Sequence, residues 1–303
     1  MMLTRDHNIA SAKVTFMSQQ PLAYLYPEFL ESNEARPIRL LSEYLEPLRR
    51  FKDQKIQDTV VFFGSARIDS RERAERALRT LRARGVRDAD AHYESELKKS
   101  RRAVEWARYY EEARELARLL TTWSGSLQSD NHRFVVTSGG GPGIMEAANR
   151  GAREAGGKTI GLNIRLPFEQ GANPYITDGL HFEFHYFFMR KFWFAYLAKA
   201  LVVFPGGFGT LDELFEILTL VQTDKLSKQI GIVLYGREYW EPILNFKPMA
   251  EWGAIGEHDI ELLHFADTPV DAFEHLRAHL VEHHLEPGHP QESAAPGIAK
   301  TRG

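Results

Sequence analysis

The stretch VVFPGGFGTLDELFEI, residues 202–217, joins an apolar run to a glycine-rich turn and then to an amphipathic segment. The apolar run is β-branched and aromatic, which is typical of a buried strand. Behind the turn, apolar residues recur at helical spacing and predict the core face of a helix: Leu211, Leu214, Phe215, Leu218 and Val221. We count this helix from Thr210, so the pattern predicts a strand, a glycine turn and a helix in direct succession.

The same alternation runs along most of the chain. Helical patterns at residues 144–155, 190–200, 211–223 and 270–284 separate most of the short apolar runs. These runs, taken as strands, are TVVFF, RFVVTS, TIGLNI, HFEFHYF, ALVVFP, IGIVLY and LLHFAD. Near-continuous apolar strands that alternate with helices predict an α/β fold with a parallel sheet covered on both faces.

The chain divides into three parts by pattern. Residues 1–58 form an N-terminal extension, poorly ordered at first, whose apolar residues at helical spacing predict an amphipathic helix over residues 37–51. Residues 59–285 form one domain with a helical insertion at about 70–123. Residues 286–303 are rich in Pro, Gly and Ser and are expected to be disordered.

Composition restricts the class of protein. The chain has 303 residues, of which 43% are hydrophobic and 26% charged, with a net charge of −3. This balance argues against a nucleic-acid partner or an anionic membrane surface. The absence of cysteine excludes disulfides, thiol nucleophiles and Cys-based metal sites. With no leader-like apolar segment and no run of membrane-spanning length, we expect a cytoplasmic protein.

Two glycine clusters each lie between a predicted strand and a predicted helix, where open α/β sheets bind ligands. The first contains Gly139, Gly140, Gly141 and Gly143, and the second spans residues 206–210 and ends in Thr210. Bare backbone N–H groups beside a helix N-terminus form a binding site for phosphate. The alternative is that the glycines serve only tight turns, but two similarly placed loops in one sheet favour a phosphorylated ligand.

The second cluster matches neither common phosphate-loop template. It lacks the Lys-Ser/Thr pair of P-loop NTPases, and the turn after the first strand lacks the dinucleotide fingerprint. Counted from Thr210, Asp212 and Glu213 fall in the first helical turn and Glu216 in the second. Acids there can simply stabilise the helix dipole. Because a carboxylate disfavours a neighbouring phosphate, an acid at a phosphate site indicates ribose contact or chemistry.

These residues resemble the LONELY GUY (LOG) family of nucleoside 5′-monophosphate phosphoribohydrolases, formerly mislabelled lysine decarboxylases. PGGFGTLDE, residues 205–213, resembles the family signature PGGxGTxxE. The Arg190-Lys191 pair in HYFFMRKFWF resembles the family's second hallmark. GGGPGIMEA, FFGSAR and LPFEQGAN resemble its other conserved segments, and the likeness covers residues 59–266.

The resemblance implies a Rossmann-like doubly wound sheet, a homodimer, and hydrolysis of a nucleotide to free base and ribose 5-phosphate without metal or cofactor. By it, Arg190 and Glu213 match the residues needed for activity. The residues that match substrate contacts are Glu169, Lys191, Gly206, Gly207, Phe208, Gly209, Thr210 and Thr219. Phe208 and Asp212 replace the Tyr and Glu common in plant members. The preferred substrate therefore stays open between a cytokinin precursor and AMP or another nucleoside monophosphate.

Several alternatives remain beside this hypothesis. Molybdenum-cofactor carrier proteins are similar in fold and bind without hydrolysis, whereas a pyridoxal-phosphate decarboxylase would need an S-x-H-K setting that is absent here. His275, His279 and His283 share a helical face, which indicates a solvated stripe or a metal site. The aromatic residues 182–194 are expected in the core or a dimer interface, with one or two rings free to stack on a base.

Overall fold

The computed structural model describes residues 20–84, 91–166, 171–223, 225–226 and 228–285. The disorder predicted at both ends of the chain therefore lies outside the described residues. By its internal contacts the chain separates into two compact units, Met1–Ser42 and Glu43–Gly303. The three-part division at residues 58 and 285 stays a prediction.

Seven strands form one parallel sheet. They are β1 Thr59–Phe63, β2 Val135–Ser138, β3 Thr159–Ile164, β4 His181–Phe184, β5 Ala198–Val203, β6 Gly231–Tyr235 and β7 Leu263–Ala266. Their order is β4-β3-β2-β1-β5-β6-β7, and each neighbouring pair is parallel. The chain thus builds outward from β1 in one direction and then from β5 in the other, which confirms the predicted Rossmann-like α/β fold.

Helices precede, connect and follow these strands. They are α1 Pro27–Leu30, α2 Arg36–Asp53, α3 Arg71–Arg84, α4 Ala91–Gly125, α5 Ile144–Glu154, α6 Phe187–Leu197, α7 Phe208–Gln222, α8 Arg237–Trp240, α9 Lys247–Glu251, α10 Glu257–Ile260 and α11 Pro269–His284. In the first unit, the Arg39 guanidinium donates to the carbonyl oxygens of Leu30 and Ser32. No described helix is both long enough and apolar enough to cross a membrane.

The core lies on both faces of the sheet because successive strand side chains point to opposite sides. Val60 and Phe62 of β1 belong to a cluster formed with α4, α5 and α11. Val61 and Phe63 belong to a second cluster formed with α6, α7 and the later turns of α2. Both faces are therefore covered, as the continuous apolar strands predict.

One predicted boundary is wrong. The sequence predicts a helix over residues 190–200, whereas α6 ends at Leu197 and the next six residues are strand β5. Ala198 pairs with Thr59 and Ala200 with Val60 in the parallel ladder to β1. Alanine favours a helix locally, but here pairing with the central strand outweighs that preference.

Candidate active site

The loops that follow β1, β2 and β5 interlock at the carboxyl edge of the sheet. Ser65, after β1, donates its backbone N–H to the carbonyl of Pro205 at 3.0 Å and accepts from the N–H of Ile144 at 3.1 Å. Gly143 has a φ of 72°, and a Cβ there would lie 2.3 Å from the Ser65 carbonyl oxygen. Only glycine fits this position, and the two predicted glycine loops are held next to each other where the strand order reverses.

A buried polar network fixes the first glycine loop. Asn173 donates from Nδ2 to the carbonyl oxygens of Gly140 and Gly141, each at 3.1 Å, and to Oδ1 of Asn149 at 2.9 Å. The Ser138 hydroxyl donates to Asn149 at 2.7 Å and accepts from the N–H of Gly140 at 3.0 Å. Because the loop carbonyls are bonded to buried side chains, the loop conformation is set before any ligand binds.

Two long helices begin at these loops without a side-chain cap. Gly143 is the N-cap residue of α5 and Gly207 that of α7, and glycine has no side chain to accept from the first turn. The first-turn N–H groups of a helix need an outside partner. Such a terminus attracts an anion through its N–H groups and its partial positive charge.

The start of α7 corrects the sequence prediction. The helix begins at Phe208 instead of Thr210, because the N–H of Leu211 bonds to the carbonyl of Gly207 at 3.0 Å and closes a turn there. The glycines predicted a loop that extends through Gly209, but Gly207 is the N-cap residue and Gly209 already lies in the helix. The first turn of α7 therefore contains no acid, and Glu213 lies in the second turn.

Arg190 of α6 and Glu213 of α7 form an ion pair beside the first glycine loop. Nη1 of Arg190 lies 3.0 Å from Oε1 of Glu213, and the side chains are only 11% and 15% exposed. Nε of Arg190 donates to the carbonyl of Leu162 at 2.7 Å. These two bonds orient the guanidinium, which in turn orients the carboxylate.

Gly139 makes room for that guanidinium. A Cβ at Gly139 would lie 2.5 Å from Nη2 of Arg190 and 2.7 Å from Sδ of Met145. The arginine therefore lies directly against the backbone of the first glycine loop. No described residue accepts a hydrogen bond from Nη2, which leaves this donor free for a ligand.

Burial changes the proton affinity of the pair. It raises the pKa of the Glu213 carboxyl to about 7, with Arg190 opposing the rise and Asp212 adding to it. Burial also lowers the pKa of Arg190, against the attraction of Glu213. A carboxyl group that titrates near neutrality is suited to exchange protons during a reaction.

A second set of charges lies one residue further along α6. Nζ of Lys191 is 2.8 Å from Asp212 and 3.0 Å from Glu216. Thr219 is exposed, and its hydroxyl donates to the carbonyl of Phe215 at 2.7 Å. Lys191 is therefore held by carboxylates on α7, in the same way that Arg190 is held by Glu213.

The remaining predicted site residues have different surroundings. Thr210 is buried, and its Oγ1 would lie 2.1 Å from a Cβ at Gly206, so this side chain packs on the glycine loop. Phe208 is 92% exposed at the start of α7. Glu169 lies outside the described residues.

The aromatic segment is divided between core and surface. Phe182, Phe184, Trp193 and Phe194 are buried in the core, as expected for most of the cluster. Phe187 and Phe188, at the start of α6, are 53% and 52% exposed. These are two rings of the segment that a base or a partner could contact.

The histidine stripe of α11 packs against the sheet. The rings of His264 and His275 are stacked with centroids 3.7 Å apart. A Cβ at Gly231 of β6 would lie 2.9 Å from the ring of His279. Among the described residues, no group of three or more His, Asp or Glu side chains is arranged to hold a metal ion.

Sequence patterns miss several residues that shape this site. From the sequence, Asn149 looks like an ordinary helix residue and Asn173 like an ordinary loop residue. No rule of spacing links either one to the glycine loop. Tyr239 of α8 donates its hydroxyl to the carbonyl of Gly206 at 2.8 Å. The sequence offers one weak signal for such residues: a polar residue that follows a strand lies at the edge of the sheet where ligands bind.

Comparison with known proteins finds similarity over part of the chain. The family described as "Possible lysine decarboxylase" matches residues 145–276. The cytokinin riboside 5′-monophosphate phosphoribohydrolase LOG of Oryza sativa subsp. japonica is 28% identical over 50% of this chain and 62% of its own length. The cytokinin riboside 5′-monophosphate phosphoribohydrolase of Rhodococcoides fascians is 30% identical over 37% of this chain and 56% of its own length.

One solved structure also aligns with part of the chain. The molybdenum cofactor binding protein of Rippkaea orientalis aligns with a TM-score of 0.39 and 18% identity, over 56% of this chain and 86% of that one. The chain spans about three fifths of the length of the curated relatives named above. The family match and these named relatives confirm the resemblance to the LONELY GUY (LOG) family.

Proposed function

We propose that the protein hydrolyses the N-glycosidic bond of a nucleoside 5′-monophosphate and releases the free base and ribose 5-phosphate. The observation that carries the proposal is the buried Arg190–Glu213 pair, 3.0 Å apart, against the first glycine loop. An ion pair that served stability alone would gain little from burial. A pair at the ligand-binding edge of the sheet, with a carboxyl pKa near 7, is suited to catalysis.

Phosphate recognition is assigned to the two glycine loops. The N-termini of α5 and α7 lack side-chain caps and meet through Ser65. A 5′-phosphate bound at these N–H groups would fix the position of the ribose C1′ atom relative to Glu213. Fixing the reacting atoms in this way lowers the entropic part of the barrier.

Glu213 is assigned the chemical role. Cleavage of the C1′–N bond builds positive charge on the ribose, and a nearby carboxylate stabilises that charge. As water adds to C1′ and the C1′–N bond breaks, a proton of the water passes to the carboxylate, and the departing base takes up a proton from solvent. Arg190 stays protonated and orients Glu213 through a charge-assisted hydrogen bond.

The proposal extends to substrate contacts, the base and the assembly. Glu169, Lys191, Phe208 and Thr219 are proposed contacts because they match family positions that contact substrate. The relatives are named for cytokinin riboside 5′-monophosphates, so a cytokinin precursor and AMP are the two substrates to test first. A homodimer in the cytoplasm is the assembly and location we propose on the same resemblance and on the composition.

The test is chromatographic. The protein is incubated with AMP, GMP, CMP, UMP and isopentenyladenosine 5′-monophosphate, and the products are separated. We expect free base and ribose 5-phosphate in equal amounts. The nucleotide that is hydrolysed fastest identifies the preferred base. Tight binding of these nucleotides without release of base would instead favour the carrier function, which the sequence leaves open.

A further inference from the structure

Side chains of α8 hold the backbone of the second glycine loop. Trp240 donates from Nε1 to the carbonyl of Val203 at 3.1 Å, and Tyr239 donates its hydroxyl to the carbonyl of Gly206 at 2.8 Å. On the other side, the carbonyl of Pro205 accepts from the N–H of Ser65 at 3.0 Å. Three carbonyls between β5 and α7, those of Val203, Pro205 and Gly206, therefore accept hydrogen bonds from fixed partners.

The direction of one carbonyl fixes the direction of the next amide. In a trans peptide the C=O and the following N–H point in opposite directions, and the described chain has no cis peptide. The bond from Tyr239 draws the Gly206 carbonyl towards α8, so the N–H of Gly207 points away from α8. Gly207 is exposed, and no described residue accepts from its N–H.

Two glycines in succession would otherwise leave this peptide free to rotate. Neither Gly206 nor Gly207 has a Cβ to restrict its dihedral angles, and nothing lies within 4 Å of a Cβ built at Gly207. Rotation of the peptide would turn a carbonyl, with its partial negative charge, towards the place assigned to the phosphate. A fixed hydrogen bond to the Gly206 carbonyl prevents that rotation.

We propose that Tyr239 is a positioning residue, whose hydroxyl holds the Gly206–Gly207 peptide so that the Gly207 N–H faces the substrate phosphate. This inference rests on the proposed function, because it assigns the phosphate to this loop. The role is one of preorganisation: the donor is oriented before the ligand arrives, which avoids a cost at binding.

The long helix α4 holds Tyr239 in turn. The ring of Trp106 meets that of Tyr239 edge-on, with centroids 5.5 Å apart, and Trp240 contacts it at 4.9 Å. Burial raises the pKa of Tyr239, so the hydroxyl keeps its proton at neutral pH. Helix α4, which lies within the predicted insertion, thereby supports the candidate phosphate site.

Tyr109 offers a matched control. Its hydroxyl accepts from Arg108 at 2.8 Å and donates to Glu238 at 3.1 Å, across the same α4–α8 contact. Tyr109→Phe and Tyr239→Phe each remove one hydroxyl from this contact. Only the second breaks a bond to the glycine loop, so a purely structural role would give the two variants similar behaviour.

The experiment compares ligand binding and turnover in wild type and both variants. Calorimetry gives Kd for ribose 5-phosphate and for ribose, and kinetics give KM and kcat for AMP. We expect Tyr239→Phe to weaken ribose 5-phosphate binding and raise KM about tenfold, because the Gly207 N–H would no longer be held in position to donate to the charged phosphate. Affinity for ribose and kcat should stay within about twofold, and Tyr109→Phe should match wild type.

The outcomes separate this inference from the proposed function. Hydrolysis by wild type with an unchanged KM in Tyr239→Phe would overturn the positioning role and leave the hydrolase proposal standing. Weaker ribose 5-phosphate binding in Tyr239→Phe, in a protein that releases no base, would support the positioning role and remove the hydrolase proposal. A wild type that binds ribose no less tightly than ribose 5-phosphate would overturn both.

Discussion

Nη1 of Arg190 lies 3.0 Å from Oε1 of Glu213, with side chains 11% and 15% exposed. Arg114 and Glu154 also form an ion pair, at 2.6 Å, but their side chains are 32% and 34% exposed. Both pairs join neighbouring helices, and they differ in burial and in position. Only the first lies against a glycine loop, so the second is a natural reference for it.

Breaking the buried pair should cost more stability than breaking the exposed one. Arg190→Met leaves the Glu213 carboxyl buried without its partner, and we expect the free energy of unfolding to fall by about 3–5 kcal/mol at pH 8. Arg114→Met should cost no more than about 1 kcal/mol. Urea unfolding measures both.

A double variant completes that test. Arg190→Met combined with Glu213→Leu removes both charges, so most of the lost stability should return. Equal losses in the two single variants, or no recovery in the double variant, would show that the Arg190–Glu213 pair is not an interdependent buried unit.

Gly139→Ala should impair activity because it displaces the arginine. The added Cβ would lie 2.5 Å from Nη2 of Arg190, closer than any real contact allows. We expect kcat/KM for the nucleotide to fall at least about tenfold, as misplacement of catalytic groups does. Gly125→Ala is the control, since nothing lies within 4 Å of a Cβ there. Similar kcat/KM values for both variants would contradict the assigned place of Arg190.

The rate should depend on pH through Glu213. Burial raises the pKa of this carboxyl to about 7, and the proposed role needs the ionised form. We expect kcat/KM for AMP to rise with pH and to level off above about pH 7. A profile that is flat between pH 5.5 and 8.5 would show that ionisation of Glu213 does not limit the reaction.

Ionisation of Glu213 should lower the stability of the fold, although it raises the rate. A carboxyl whose folded-state pKa lies above its ordinary value stabilises the fold fully only at low pH, and that contribution is lost as pH rises through 7. Glu213→Gln cannot ionise, so its free energy of unfolding should fall less than that of wild type between pH 5 and 8. An identical change in both proteins would contradict the raised pKa.

Histidines of α11 should make the fold sensitive to mild acid. Burial lowers the pKa of His279 to about 4 and that of His284 to about 3. As pH falls below about 6.5, these histidines bind protons in the unfolded chain before they do so in the folded protein. The stability that the neutral histidines contribute is therefore lost from that pH downwards. Urea unfolding at pH 7.5 and pH 5 measures the loss.

A substitution identifies the source of that sensitivity. His279→Gln should reduce the difference in stability between the two pH values, because one proton-binding site of the unfolded chain is removed. His181→Gln, at an exposed position on β4, is the control. An unchanged difference in His279→Gln would assign the acid sensitivity to other groups.

Local patterns in the sequence pointed to the candidate site, but not to the contacts that hold its loops in place. Strands, glycine loops and the Arg190 and Glu213 candidates follow from local patterns and a family signature, which lie within short stretches of chain. The hydrogen bond from Tyr239 to Gly206 joins residues 33 apart, and that from Asn173 to Gly140 also spans 33. No periodicity encodes such contacts, because they depend on which strands become neighbours in the sheet.

Helix boundaries were also missed for a physical reason. The prediction counted α7 from Thr210, yet Gly209 lies inside the helix although glycine is a poor helix former. Local preference likewise extended α6 through Ala200, which pairs with β1 instead. At both places tertiary packing outweighs intrinsic preference, and both adjoin the candidate site.

The most direct measurement separates binding from turnover in Glu213→Gln. Equilibrium dialysis gives the Kd of AMP, and a single-turnover experiment with enzyme in excess gives the rate of base release, with Glu154→Gln as the reference. We predict that Glu213→Gln binds AMP within about threefold of wild type but releases base at least about a thousandfold more slowly, as loss of a reacting group requires. Base release by Glu213→Gln at the wild-type rate would contradict the assignment of Glu213 as the catalytic carboxylate.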